Sequence, residues 1–136
     1  MKYYCLEEFK AEFERLIKKK SYRSLERDMI EAFFDKSIGE LRAGTRLNNS
    51  SEAPFIKKRV GGSGGFRFYY YLLIDRERLY FLFVHPKTGP LGSENITDES
   101  KAYIYKGVLE AIKVNELYSV EKSSDGKSLQ FRSFQS

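Results

Sequence analysis

Lys57, Lys58, Arg59, Arg67 and Lys87 interleave with Tyr69, Tyr71 and Tyr80 inside one short stretch, Phe55 to Lys87. Cations bind phosphates and tyrosine faces stack on bases, which together is the chemistry that holds single-stranded RNA. His85 is the only histidine and stands two residues before Lys87. Its ordinary pKa suits a general acid or base, although a surface or capping histidine is the plainer reading. The plainer reading of the cations is an amphipathic sheet with exposed lysines guarding its edges. Charge distribution favours the first. Residues 54–90 carry seven Lys and Arg against two acids, and the remaining chain carries 17 of each. The whole net charge of +5 therefore sits on this stretch, as expected of a surface presented to a polyanion.

Two other constellations carry less. Gly61-Gly62-Ser63-Gly64-Gly65 matches the G-x-S-x-G nucleophile pattern, but that device needs a strand-to-helix turn and here a strand follows. It is not a phosphate loop for the same reason. A glycine-rich hairpin loop with uncovered amides is the better reading. A lone histidine and a lone cysteine offer no cluster for a metal, so neither a metal nor a cofactor is expected. Cys5 allows no internal disulfide, which fits a reducing, intracellular compartment. A buried small hydrophobe is its expected state.

The elements that must position these groups follow from periodicity. The chain is read as one domain, with 41% apolar and 15% aromatic residues to build a core. Its longest nearly uncharged run, Phe68 to Asp75 at its limits, is far short of a membrane span, and no signal layout opens it. Two glycosylation patterns, at Asn49 and Asn95, are read as chance. Lys2 to Leu6 reads as a short strand. Phe9, Phe13, Leu16 and Ile17, then Leu25, Met29, Ile30, Phe33 and Phe34, give two helical stripes. The run Lys18-Lys19-Lys20 between them reads as a solvated helix end, balanced by Glu7, Glu8, Glu12 and Glu14. Asp35 to Pro54 is a loop with a helical turn near Ile38 to Leu41.

Strands are expected at Phe55–Val60, Phe66–Ile74 and Leu79–Val84, joined as an antiparallel meander. Alternation puts Phe66, Phe68, Tyr70, Leu72 and Ile74 on a core face and turns Arg67, Tyr69 and Tyr71 outward. Arg76 and Arg78 read as solvated turn charges, and Pro86 as the end of the sheet. Thr97 caps a final helix. Leu117–Glu121 and Ser128–Phe134 read as an added hairpin. The expected fold class is α+β: an N-terminal helical hairpin packed on a small antiparallel sheet, with a C-terminal helix. The core covers about residues 1–113, and 114–136 form an extension.

The order basic strand, Ser63-Gly64-Gly65-Phe66-Arg67-Phe68-Tyr69-Tyr70-Tyr71, then Leu79 to Lys87, resembles the RelE/HigB toxins of toxin–antitoxin pairs. The resemblance spans roughly residues 1–113, with its motif confined to Phe55–Lys87. It implies a cytoplasmic mRNA endoribonuclease that acts at the ribosome, needs no metal and is silenced by an antitoxin protein. In such enzymes the ribose 2′-hydroxyl attacks the adjacent phosphate, and the protein orients it, moves protons and neutralises the oxyanion. The resemblance assigns Arg67 to phosphate charge stabilisation. It makes Lys58 and Lys57 basic-strand lysines and Lys87 the strand-end lysine, and gives His85 the role of base or acid. Arg59, Tyr69 and Tyr71 would complete the RNA-binding set. The chain departs from the pattern at Gly62, where a lysine often stands, in its longer Thr88–Ile96 loop, and in the tail after Val114. Two alternatives remain open at this point: a ParE-like gyrase inhibitor, and a non-catalytic basic module holding an acidic partner.

Overall fold

Two alternating stripes and three alternating strands account for most of the structure. The computed structural model describes residues 1–62, 65–86 and 98–134. In chain order the elements are β1 (Lys2–Cys5), α1 (Glu7–Ile17), a 3-10 turn (Lys20–Tyr22), α2 (Leu25–Phe33), α3 (Ile38–Arg42), β2 (Thr45–Arg46), β3 (Phe55–Val60), β4 (Phe66–Leu73), β5 (Arg78–Pro86), α4 (Asp98–Lys113), β6 (Leu117–Lys122) and β7 (Leu129–Phe134). They form one seven-stranded mixed sheet in the order β2-β3-β4-β5-β1-β6-β7.

This overturns the expected fold class. The sheet is neither small nor purely antiparallel, because β1 lies near its middle, parallel to β5 and antiparallel to β6. About a third of the chain is helical, and the helices are distributed along it: α3 follows α2, and α4 follows the meander rather than ending the chain. The arrangement is therefore not an N-terminal hairpin laid on a small sheet and closed by a C-terminal helix. A strand buried on both faces shows no alternation, and Tyr3, Tyr4 and Cys5 are all buried. Nothing local in those residues announced a partner more than seventy positions away in β5.

The β3-β4-β5 meander matches its expectation, with β5 extended. It runs through Pro86, which stands opposite Phe66, so the proline lies at the end of the ladder rather than beyond it. The Thr97 cap lies outside the described residues. The helical turn near Ile38 is α3, closed by a capping box in which Ser37 Oγ accepts from the Glu40 amide at 3.2 Å.

One face of the sheet carries the core foreseen from the stripes. Phe9, Phe13 and Leu16 of α1 and Leu25, Met29 and Phe33 of α2 pack on Phe66, Phe68, Tyr70 and Phe81. The Phe33 ring lies 5.0 Å from Phe68 and 5.1 Å from both Tyr70 and Phe81. Each such ring contributes roughly 1.5–3 kcal/mol by burial and about 0.5–1.5 kcal/mol more by edge-on contact.

The opposite face is not solvated, as alternation alone had it. Tyr4, Tyr69, Tyr71, Tyr80 and Leu82 form a second buried cluster with Val108 of α4, and Ile104, Ala111 and Ile112 pack against it. The sheet thus has a core on each side. That leaves a short length of the second face for chemistry.

Candidate functional site

Three neighbouring strands bring a row of nitrogen-bearing side chains into register near the β3–β4 hairpin. Arg67 on β4 stands directly opposite Arg59 on β3 and directly opposite His85 on β5. The register originates in the hairpin. Gly65 closes it, its amide donating to the Gly62 carbonyl at 2.9 Å. A side chain at Gly65 would begin 2.2 Å from the Val60 carbonyl oxygen, so no other residue fits. That turn sets Val60 opposite Phe66, and the Arg59–Arg67 pairing follows one step along.

A bulge sets the other half of the row. Tyr70 stands opposite Phe81 but Tyr69 stands opposite Phe83, which leaves Leu82 as an extra residue on β5. Leu82 and Phe83 both lie on the second face. Val84 then returns to the first core, and His85 shares a face with Arg67. Strict alternation from Phe81 would have put His85 on the helix side. Bulges re-aim side chains in this way, and this one completes the row.

His85 is half-buried, edge-on to Tyr69 at 5.9 Å and stacked on Phe83 at 6.2 Å. Burial pushes its pKa below the ordinary 6.5; Glu12 acts to raise it, and Arg67 and Arg15 act to lower it. Burial thus favours the neutral imidazole, which has a lone pair to accept a proton. Arg59 is exposed, while Arg67 and Lys57 are half-buried. Lys57 stands opposite Tyr69, one row further along the same face. Glu12 and Arg15 of α1 were not foreseen as neighbours of His85. In sequence they show only as an ordinary i, i+3 ion pair.

Other expected members lie elsewhere. Lys58 points to the helix side, where its ammonium donates to the Glu40 carbonyl at 3.3 Å and lies 5.6 Å from the Phe33 ring. Burial lowers its pKa, but the structure does not bring it to Arg67 and His85. Tyr69 and Tyr71 are 1% and 6% exposed, so neither presents a ring face on which a base could stack. Lys87 and Ser63 lie outside the described residues. Arg78, expected to be a solvated turn charge, is half-buried with its guanidinium 5.8 Å from the Tyr4 ring. Cys5 is buried and its thiol is pushed up by that burial, leaving it inert.

Tyr69 adds a further feature. Its hydroxyl is buried and has no hydrogen-bond partner among the described residues. A buried, unsatisfied hydroxyl costs about 1–3 kcal/mol. Tyr69→Phe is therefore expected to raise stability by about 1 kcal/mol in denaturant unfolding. A loss of stability would show that the hydroxyl is satisfied after all.

The row can hold an anion between two guanidiniums and place a neutral imidazole beside it. Among the described residues no group of three or more His, Cys, Asp or Glu side chains is placed to bind a metal, and no helix is long and apolar enough to cross a membrane. Comparison with protein-family models and with curated proteins finds no match.

Proposed function

We propose that the protein is a metal-independent endoribonuclease of the RelE/HigB kind, which cuts mRNA at the ribosome and is silenced by a cognate antitoxin. The observation that carries this reading is the row Arg59–Arg67–His85, three side chains at one register position on one face of the sheet. Two cations facing each other repel, and a phosphate between them offsets that repulsion with charge-assisted hydrogen bonds. The resemblance of Phe55–Lys87 to the toxin motif supports the choice of RNA over other polyanions.

The chemistry needs only the chain's own groups. His85 accepts the proton of the ribose 2′-hydroxyl as that oxygen attacks the neighbouring phosphorus. Arg67 and Arg59 neutralise the charge gathering on the non-bridging oxygens. The 5′-oxygen leaves with a proton from Lys57, giving a 2′,3′-cyclic phosphate and a free 5′-hydroxyl. Because Tyr69 and Tyr71 are covered, the substrate is held by its backbone here rather than by stacked bases.

Expression with and without a neighbouring antitoxin gene, followed by mapping of transcript ends, tests the reading. Growth arrest with new 5′-hydroxyl ends is the expected result. Arrest with intact transcripts and altered plasmid supercoiling would replace it with the gyrase reading. Neither effect would leave a binding module.

A further inference from the structure

Four cations crowd positions 18–23: Lys18, Lys19, Lys20 and Arg23, all exposed. Three of their four expected counter-charges, Glu7, Glu12 and Glu14, are engaged elsewhere. Glu14 pairs with Lys10 at 2.9 Å, Glu12 pairs with Arg15, and Glu7 accepts from the Tyr118 hydroxyl. None of the four cations has an ion-pair partner among the described residues. The dipole of α1 favours cations only at its last turn. It accounts for Lys18, the residue that caps α1, and not for Lys20 or Arg23, which lie in or just after the 3-10 turn.

The fold sets this cluster beside the row. Tyr22, in the middle of it, packs edge-on against Phe66 at 6.0 Å. Phe66 pairs with Val60 on one side and Pro86 on the other, one step from Arg59, Arg67 and His85. Gly61 of the same hairpin approaches Asp28 of α2, where an added side chain would begin 3.3 Å from Asp28 Oδ2. On the β5 side, Arg15 lies close enough to His85 to depress its pKa. The α1–α2 turn and the β3–β4 hairpin thus form one end of the molecule.

We infer that Lys18, Lys19, Lys20 and Arg23 form a second phosphate-binding patch, which holds RNA extending beyond the Arg59–Arg67–His85 row. This rests on the reading of that row as an RNA site and adds a footprint to it. RNA leaving the row passes around the end of the sheet and meets the patch with several phosphates at once. The patch adds affinity and salt dependence but no chemistry. The RNA can be a longer single strand continuous with the cut segment or a structured RNA held alongside it; both present the same phosphate chemistry.

The test uses the full chain and synthetic RNA carrying a 2′-O-methyl group at every ribose, so that no 2′-hydroxyl can attack and the strand binds without being cut. Fluorescence anisotropy is read for oligonucleotides of about four and about twelve nucleotides, and for a hairpin RNA. In the variant Lys18→Ala/Lys19→Ala/Lys20→Ala, affinity for the longer strand is expected to fall about ten-fold at low salt. Its log–log salt slope should shallow by about 2, since each single-strand phosphate contact contributes about 0.7. Affinity for the short strand should be unchanged. If the hairpin alone loses affinity, the patch serves structured RNA; if the longer strand does, it serves the cut strand. Equal affinity and slope for every RNA, in a variant that melts like the wild type, overturns the patch. The row fails separately: it falls if Arg67→Ala leaves short-strand binding intact, whatever the lysines do.

Discussion

Replacing Arg67 with alanine is expected to slow RNA cleavage about 10²–10³-fold, the usual effect of removing one donor aimed at developing negative charge. The expectation comes from register. Arg67 is the central member of the row, with Arg59 opposite on one strand and His85 opposite on the other. It is the one cation adjacent both to the second guanidinium and to the base. It is also half-buried, so its charge acts at lower effective dielectric than that of exposed Arg59. Arg59→Ala should therefore cost less than Arg67→Ala. Arg67→Lys keeps the charge but loses the two-pronged grip on phosphate, and it should fall between wild type and Arg67→Ala. Single-turnover cleavage of a short RNA, with circular dichroism melting of each variant, checks the order. A folded Arg67→Ala protein that cleaves at the wild-type rate would remove Arg67 from the site.

The legible part of this site was the part built by local alternation. Period-two patterning placed Phe66, Phe68 and Tyr70 on one face and Arg67, Tyr69 and Tyr71 on the other, and the structure agrees. Whether the second face is wet is a tertiary matter. Tyr69 and Tyr71 are buried within the cluster that includes Val108, and α4 lies on residues whose own stripe gives no hint of which surface they will cover. An amphipathic helix declares that it has a buried face, not what that face will meet.

The bulge was illegible for a related reason. Leu82 is as apolar as its neighbours, and Leu79-Tyr80-Phe81-Leu82-Phe83-Val84 has no polar residue to mark where the phase changes. In a strand covered on both faces, either phase buries the same kind of side chain. The position of His85 follows from that undetermined phase. At the ends of the chain the short strand and the hairpin were legible as elements, but not their places in the sheet. β1 is central and doubly buried, and the β6–β7 hairpin reads as an appendage until β6 is seen to pair with β1.

His85 gives the second large effect, and its sign follows from its surroundings. Burial lowers its pKa, and the positive charges of Arg67 and Arg15 act in the same direction against Glu12. As a general base it works only when neutral. Cleavage under kcat/KM conditions, which report the free enzyme, should therefore rise with pH along a limb lying below the ordinary histidine value of 6.5. Glu12→Gln removes the charge that raises the pKa and should move the limb to lower pH. Arg15→Gln removes one that lowers it and should move the limb to higher pH. Neither residue belongs to the row, so a shifted limb with an unchanged plateau separates an effect on the base from general damage.

Stability has the same sign. Because folding lowers this pKa, the unfolded chain takes up the proton first, so the histidine's contribution is present above 6.5 and is lost as pH falls towards the folded value. His85→Ala should lower the plateau about 10²–10⁴-fold, erase the acid limb of activity and flatten this part of the stability curve. A His85→Ala protein that retains the limb would assign the proton transfer to another group. A rising limb above 6.5 in the wild type would mean that the base is not a histidine with a lowered pKa, and activity that falls with pH through a His85-dependent limb would make the protonated imidazole the acid.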